Sequence, residues 1–489
     1  MATRGATASG FDTSGRFAAR AEANTWTCPF CSLLCDDLAL DANDPALAAT
    51  TCPRASTALA GLKLGDRAAV GAHIQGRPAS LDAAITHAAR LLASSRQPLF
   101  GGLATDVNGA RALVKLAGQC GAICDHANGE PLALATRVLH DQGSWMVTLG
   151  EVAARAELVV CVGSDPAARH PRFWQRIDIA RPGSPLRKVR FVGLKDDAAL
   201  AQQRLRAVTT SAGDPADAAS GDASEAGNAA TATAEAGAAI TSATAAAVAS
   251  GHAAELDVQA LASGADVFDT LQALALALRP RPPASLDPAW LTLAAELRAS
   301  PYVCFVWEAG VLPRHGELAA AAVQSIVATL NQTTRAGSVA LAGGDGAATA
   351  QQVHTWLTGL PLRTRLASEP GGRIEHDPIE HGANRLLTDR GCDALLWVSS
   401  ITALAPPAAA AGLPTVVLGP PALAPADGAN APEVFIPVAS PGLHHVGHLF
   451  RSDGIIAMPM QAPLNSTLPD VAEIARRIGA ALTPAGGSA

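Results

Sequence analysis

Ala156-Glu157-Leu158-Val159-Val160-Cys161-Val162-Gly163, running into Ser164-Asp165-Pro166, is the stretch that decides the fold. It is a short, unbroken apolar run closed by turn residues, the pattern of a strand buried on both faces. Comparable runs recur at 98–102, 121–124, 188–193, 302–307, 338–342, 395–399 and 414–419. Stretches of helical length separate them. Asp106 is placed to N-cap a helix that runs through Gln119, and Gly121 is placed to stop it. Strands alternating with helices imply parallel sheets with right-handed crossovers. The expected fold class is therefore α/β, with several doubly wound, mainly parallel sheet domains and a small N-terminal cysteine-rich segment. In such sheets ligands sit where loops leave the carboxyl ends of the strands.

Composition narrows the class further. The chain has 489 residues, 49% of them hydrophobic and 16% charged, enough for large buried cores and unlike collagen, coiled-coil or wholly disordered chains. Lys+Arg is 36 against Asp+Glu 43, a net charge of −7 that lacks the basic footprint of a nucleic-acid binder. The longest apolar runs are too short to span a bilayer, and residues 1–24 carry Arg4, Arg16 and Arg20 without an apolar core. A frayed tail, no membrane anchor and a cytoplasmic location are expected. Nine cysteines, the first four bunched, fit a reducing compartment with metal or cluster chemistry. From 207 to 278 there is no Lys or Arg but nine acidic residues. The expected organisation is a tail at 1–24, a cysteine-rich segment at 25–75 and a first α/β domain at 76–206. A low-complexity Ala-rich insert follows at 207–265, then a second α/β region at 266–425 and a C-terminal segment at 426–489.

The strongest chemical signal is Cys28-Pro29-Phe30-Cys31-Ser32-Leu33-Leu34-Cys35 with Cys52-Pro53, spaced C-x2-C-x3-C-x16-C. Four thiolates close in sequence can wrap one cubane, each iron taking one sulfur. Zinc is the rival, though only one C-x2-C knuckle is present, and four metal-free thiols remain a third reading. Cys124 falls within an expected strand, where a small buried thiol is the plainer reading. Two histidine groups, Glu375-His376 with Glu380-His381 and His444-His445 with His448, have the donors for a divalent ion. Their flanking loops favour polar contacts instead. Gly343-Gly344-Asp345-Gly346 follows a strand-like run and precedes a helical pattern, so it could present backbone N–H groups to a phosphate. It lacks the dinucleotide fingerprint spacing. No hydrolase elbow or Ser-His-Asp order stands out.

The segment Thr27-Cys28-Pro29-Phe30-Cys31 through Cys35-Asp36-Asp37 resembles the N-terminus of the B subunit of formylmethanofuran dehydrogenase, within the molybdopterin oxidoreductase superfamily. Gly163-Ser164-Asp165-Pro166 with His170-Pro171-Arg172-Phe173, Cys392-Asp393-Ala394-Leu395-Leu396-Trp397, and Ile436-Pro437-Val438 with Arg451-Ser452-Asp453-Gly454 resemble further segments of that polypeptide in the same order. The resemblance implies that fold and a [4Fe–4S] cluster on Cys28, Cys31, Cys35 and Cys52. One departure is decisive. Catalytic members carry Cys-His-Gly after the strand corresponding to 121–124, and its cysteine ligates tungsten or molybdenum. Here the segment reads Asp125-His126-Ala127-Asn128-Gly129. The resemblance with this loss implies a non-redox scaffold without pterin dinucleotides or catalytic residues of its own. It would belong to a formyltransferase/hydrolase complex of tetrahydromethanopterin- and methanofuran-linked one-carbon metabolism. Its implied partners are an amidohydrolase-like zinc subunit, a formyltransferase subunit and a further scaffold subunit. The alternative is an active tungsten or molybdenum formylmethanofuran or formate dehydrogenase.

Overall fold

The computed structural model describes residues 25–39, 52–62, 70–179, 183–194, 197–211, 256–264, 266–312, 315–368, 372–425 and 431–482. The fold is mixed α/β with parallel sheets, divided into two compact units, one of 1–129 with 343–489 and one of 130–342. The expected 76–206 domain is thereby shared between the two, and so is the 266–425 region. Segment 25–75 also joins the first unit, because its strand Ala72–Ile74 pairs antiparallel with Val434–Pro437.

The first unit is built on a nine-stranded sheet. Its parallel centre runs Ile123–Cys124, Pro98–Ala104, Ala394–Ser399, Thr415–Gly419, Val434–Pro437. In chain order that is 2-1-3-4-5, with the switch between Pro98–Ala104 and Ala394–Ser399. Antiparallel strands Thr364–Arg365 and Glu375–His376 extend one edge, and the Ala72–Ile74/Arg77–Ala79 hairpin extends the other. Helix Val107–Cys120 begins as expected, Asp106 accepting from the Gly109 N–H, and ends at Gly121 in the left-handed region. At the central crossing Gly101 lies under Trp397, where a Cβ would come within 3.1 Å of the indole.

The second unit holds a five-stranded, all-parallel sheet in the order Arg335–Ala340, Tyr302–Trp307, Leu158–Val162, Lys188–Val192, Asp257–Leu261. Leu158, Val160, Val303, Phe305 and Trp307 pack with Trp290, Leu293 and Ile326 of the covering helices. Residues 1–24, and 212–255 of the expected insert, lie outside the described residues. Both ends of the insert drawn over 207–265 need correction. Helix Ala198–Ser211 runs into it, and Asp257–Leu261 is the outermost strand of this sheet. That strand alternates polar and apolar residues weakly. It is held by the wholly buried Arg190, which reaches Asp257 Oδ2 at 2.6 Å and both Glu296 carboxylate oxygens at 3.0 Å.

Candidate metal centre

All four expected ligands belong to the first unit. Cys28, Cys31, Cys35 and Cys52 are all buried, and none is in a disulfide. The Cys28 N–H donates to the Cys35 carbonyl at 2.9 Å, closing the loop on itself. Leu34, at φ 45°, turns the chain so that its N–H reaches the Cys31 carbonyl. Cys52 sits directly before helix Pro53–Leu62, whose first residue needs no N–H partner. Trp26 and Phe30 pack edge to face at 6.0 Å beneath the loop. Burial pushes the Cys28 thiol up, and the neighbouring Cys31, Cys35 and Cys52 add to the shift. Cys28 thus lies near the other three cysteines. Burial also raises Cys31, opposed by local backbone N–H groups and by the Arg54 guanidinium. Arg54 is held by the Phe30 carbonyl at 2.8 Å and lies against Gly344, where a Cβ would fall 2.4 Å from Nη2. Among the described residues, no three His, Cys, Asp or Glu side chains converge as ligands of one metal ion.

The segment after Ile123–Cys124 is equally ordered. Cys124 is buried in its strand, and burial pushes its thiol up to about 12. Asp125 Oδ1 accepts from the His126 N–H at 2.9 Å and Oδ2 from the Ala383 N–H at 2.7 Å. Arg363 Nε stands 3.4 Å from Oδ2, both side chains being almost wholly buried. Gly129 is obligatory here, since a Cβ would meet Asp125 Oδ1 at 2.1 Å. His126 Nδ1 accepts from the Asn128 N–H, so Nε2–H donates to the Asp345 carbonyl, each at 2.9 Å. Burial lowers its proton affinity, and the neutral ring is used at both nitrogens.

The remaining sequence candidates make local contacts. Gly343–Gly346 is the point where the chain re-enters the first unit, rather than a turn between a strand and a helix of one sheet. Its Asp345 carboxylate accepts from the Thr402 hydroxyl, and a Cβ on Gly346 would lie 2.9 Å from the Thr105 carbonyl. The loop thus packs against the residues that follow Pro98–Ala104 and Ala394–Ser399. His376 Nδ1 lies 3.1 Å from Thr364 Oγ1 and His381 Nδ1 3.3 Å from the Arg363 carbonyl, while Asp377 accepts the N–H groups of Ile379 and Glu380. His444 Nδ1 accepts from the Ser440 N–H, His445 donates to the Val446 carbonyl, and His448 is exposed on a strand. In the second unit Asp165 caps the short helix Pro166–Arg169 and pairs with Arg204, and the buried Glu308 pairs with Arg169.

Sequence reasoning missed Arg54, Arg363 and the seating of the C-terminal hairpin on the cysteine loop. Ser452 N–H donates to the Ser32 carbonyl at 2.8 Å, Trp26 Nε1 to the Gly442 carbonyl at 2.6 Å and Thr27 N–H to Gln461 Oε1 at 2.9 Å. The usable signal was the buried-charge pair Arg451-x-Asp453 in a segment otherwise destined for a hairpin.

With this geometry in view, comparison with known proteins is specific. The chain is 28% identical to the B subunit of the formyltransferase/hydrolase complex Fhc of Methylorubrum extorquens over 342 residues, 69% of this chain and 76% of that protein. Along that span the chain is similar to that polypeptide. It is also 28% identical over 174 residues to the B subunit of the tungsten-containing formylmethanofuran dehydrogenase 2 of Methanocaldococcus jannaschii, covering 32% of this chain and 38% of that one. Its fold matches a chain of the crystal structure of FhcABCD from Methylorubrum extorquens in complex with methylofuran. The TM-score is 0.64 at 24% identity, with 84% of this chain and 98% of that chain covered. No protein-family model matches the chain. Among the described residues, no helix is long and apolar enough to cross a membrane.

Proposed function

We propose that this chain is the non-redox scaffold subunit of a formyltransferase/hydrolase complex in methanofuran-linked one-carbon metabolism. Its fold would be a molybdopterin-oxidoreductase framework that no longer holds a pterin-bound metal. It would work in a reducing cytoplasm beside an amidohydrolase-like zinc subunit, a formyltransferase subunit and a further scaffold subunit. One observation carries the reading. Where a metal-anchoring thiolate would be needed, the strand end holds Asp125, taking two backbone N–H groups and facing the buried Arg363. A carboxylate so engaged is already compensated, and the adjacent His126 has both ring nitrogens bonded within the chain.

Cys28, Cys31, Cys35 and Cys52 suit a [4Fe–4S] cluster: four buried cysteines outside any disulfide supply one sulfur per iron, and bound iron would offset the cost that burial adds to deprotonating Cys28 and Cys31. When bound, the cluster supplies a cross-link and a one-electron centre. The chain's own residues do the rest. Trp26, Phe30 and Leu33 exclude water beneath the loop, and Arg54 places positive charge beside Cys31.

Metal and pterin analysis of the anaerobically purified complex tests the proposal. The expected result is four irons in this subunit with neither tungsten, molybdenum nor pterin. Stoichiometric tungsten or molybdenum with pterin overturns it in favour of a working dehydrogenase. An assembled complex carrying Cys28→Ser should keep its hydrolysis rate; a specific loss of turnover in the intact assembly would count against a structural role.

A further inference from the structure

The turn Arg451-Ser452-Asp453-Gly454 joins strands Gly447–Phe450 and Ala457–Met460. Arg451 Nε and Nη2 both donate to Asp453 Oδ2, at 2.9 and 2.5 Å. The Arg451 N–H reaches the Ile456 carbonyl, and the Gly454 N–H, at φ 67°, reaches the Arg451 carbonyl. These bonds shape a rigid tip whose Ser452 N–H is fastened to the Ser32 carbonyl. Ser32 stands between Cys31 and Cys35 in the metal-ligand loop. Ser452 is only 8% exposed, yet its Oγ is buried with no hydrogen-bond partner among the described residues. A buried hydroxyl without an acceptor is unfavourable, and such orphans mark a missing group. The missing acceptor has an obvious chemical class here, because thiolate and sulfide sulfurs of an iron–sulfur cluster accept hydrogen bonds and are tuned by them.

We propose that the Ser452 hydroxyl donates to a sulfur of the cluster held by Cys28, Cys31, Cys35 and Cys52. This rests on the cluster reading above. Ser452 is then a positioning and tuning residue supplied by the C-terminal hairpin to an N-terminal site. Donation to sulfur favours the more negative, reduced cluster, so the hydroxyl raises the reduction potential. It also slows loss of the cluster to air by keeping the sulfur engaged.

The test uses the anaerobic complex with wild-type chain, Ser452→Ala and Ser452→Thr. Iron and sulfide content is measured first, then the potential by redox titration of the reduced cluster's paramagnetic signal, then the rate of bleaching in air. Ser452→Ala should retain four irons, titrate at a more negative potential and bleach roughly fivefold faster, the scale of one lost hydrogen bond. Ser452→Thr should restore both properties. If Ser452→Ala does not fold, Ser452→Cys, which keeps the size but donates weakly, should show the same shift. Four irons with unchanged potential and bleaching in the variants overturn the hydrogen bond and leave the cluster standing. A wild-type chain with zinc or no metal overturns the cluster reading, and this inference with it.

Discussion

The two units solve the same problem with opposite economies. The second unit encloses an all-parallel sheet in strand order 3-2-1-4-5, counting its strands from the one at the sheet's centre outward along the chain, and its core is aliphatic and aromatic, from Leu158 to Trp307. Among the described residues its buried charges pair off at the periphery: Arg190 with Glu296 and Asp257 at the sheet edge, and Asp165 with Arg204 and Glu308 with Arg169 at the strand ends. The first unit, in order 2-1-3-4-5, concentrates buried polar groups at the carboxyl ends of its strands. Thr105, Asp106, Asp125, His126, Arg363, Ser399 and Ser400 are all buried there. One sheet core is almost wholly apolar; the other unit adds to its apolar core, from Leu99 to Phe435, a cluster of buried polar groups at the strand ends. Polar networks in a low-dielectric interior are costly when incomplete, so the first unit should be far more sensitive to single changes.

The largest effect should come from Asp125→Ala, which leaves the Arg363 charge buried without its carboxylate partner. The expected cost is about 3–5 kcal/mol, read as a fall in the denaturant midpoint. Hydrogen exchange should accelerate in Pro98–Ala104 and Ala394–Ser399 but not in Leu158–Val162. Equal acceleration in both sheets would erase the proposed contrast. Glu296→Ala should rank second, at about 2–3 kcal/mol, because Arg190 retains only the half-exposed Asp257. The amides of Asp257–Leu261 should lose protection first; unchanged protection there would show that the edge strand does not depend on Arg190.

The smallest effect is a pH dependence of the first unit near neutrality. Burial lowers the proton affinity of His126 and of His354, the latter reinforced by His376. Below about pH 6.5 the unfolded chain binds protons that these folded histidines refuse. Their contribution is therefore complete above that pH and is lost as pH falls toward the lowered folded values. The slope should not exceed about 1.4 kcal/mol per pH unit for each histidine. Urea midpoints between pH 7.5 and 5.5 should show it, and His354→Phe should flatten it. A variant slope identical to wild type would assign the effect elsewhere.

Legibility in the sequence differed between central strands and local caps on one side and edge strands and long-range contacts on the other, for a physical reason. Leu158–Val162, Tyr302–Trp307 and Ala394–Ser399 could be read because a strand buried on both faces must be continuously apolar. Asp257–Leu261 could not, because an edge strand needs only one ladder and half a face, and its Asp and Gln look like loop residues. Asp106 and Gly121 were legible as caps since their hydrogen bonds are local. The spacing of the four cysteines was visible for the same reason. Arg363 and Ser452 were invisible, because their partners lie more than 200 and 400 residues away along the chain.

By itself the sequence determined the α/β class, the principal strands, the helix caps and the four-cysteine loop, all consequences of local periodicity and short-range bonding. Only the tertiary structure decided that the chain leaves the first unit after Gly129 and returns at Gly343. It alone set the strand order in each sheet, and it alone seated a C-terminal hairpin on an N-terminal loop. Apolar strands of one unit look the same as those of the other. Their neighbours are chosen by register, side-chain shape and the pairing of a few buried charges, which no local pattern encodes.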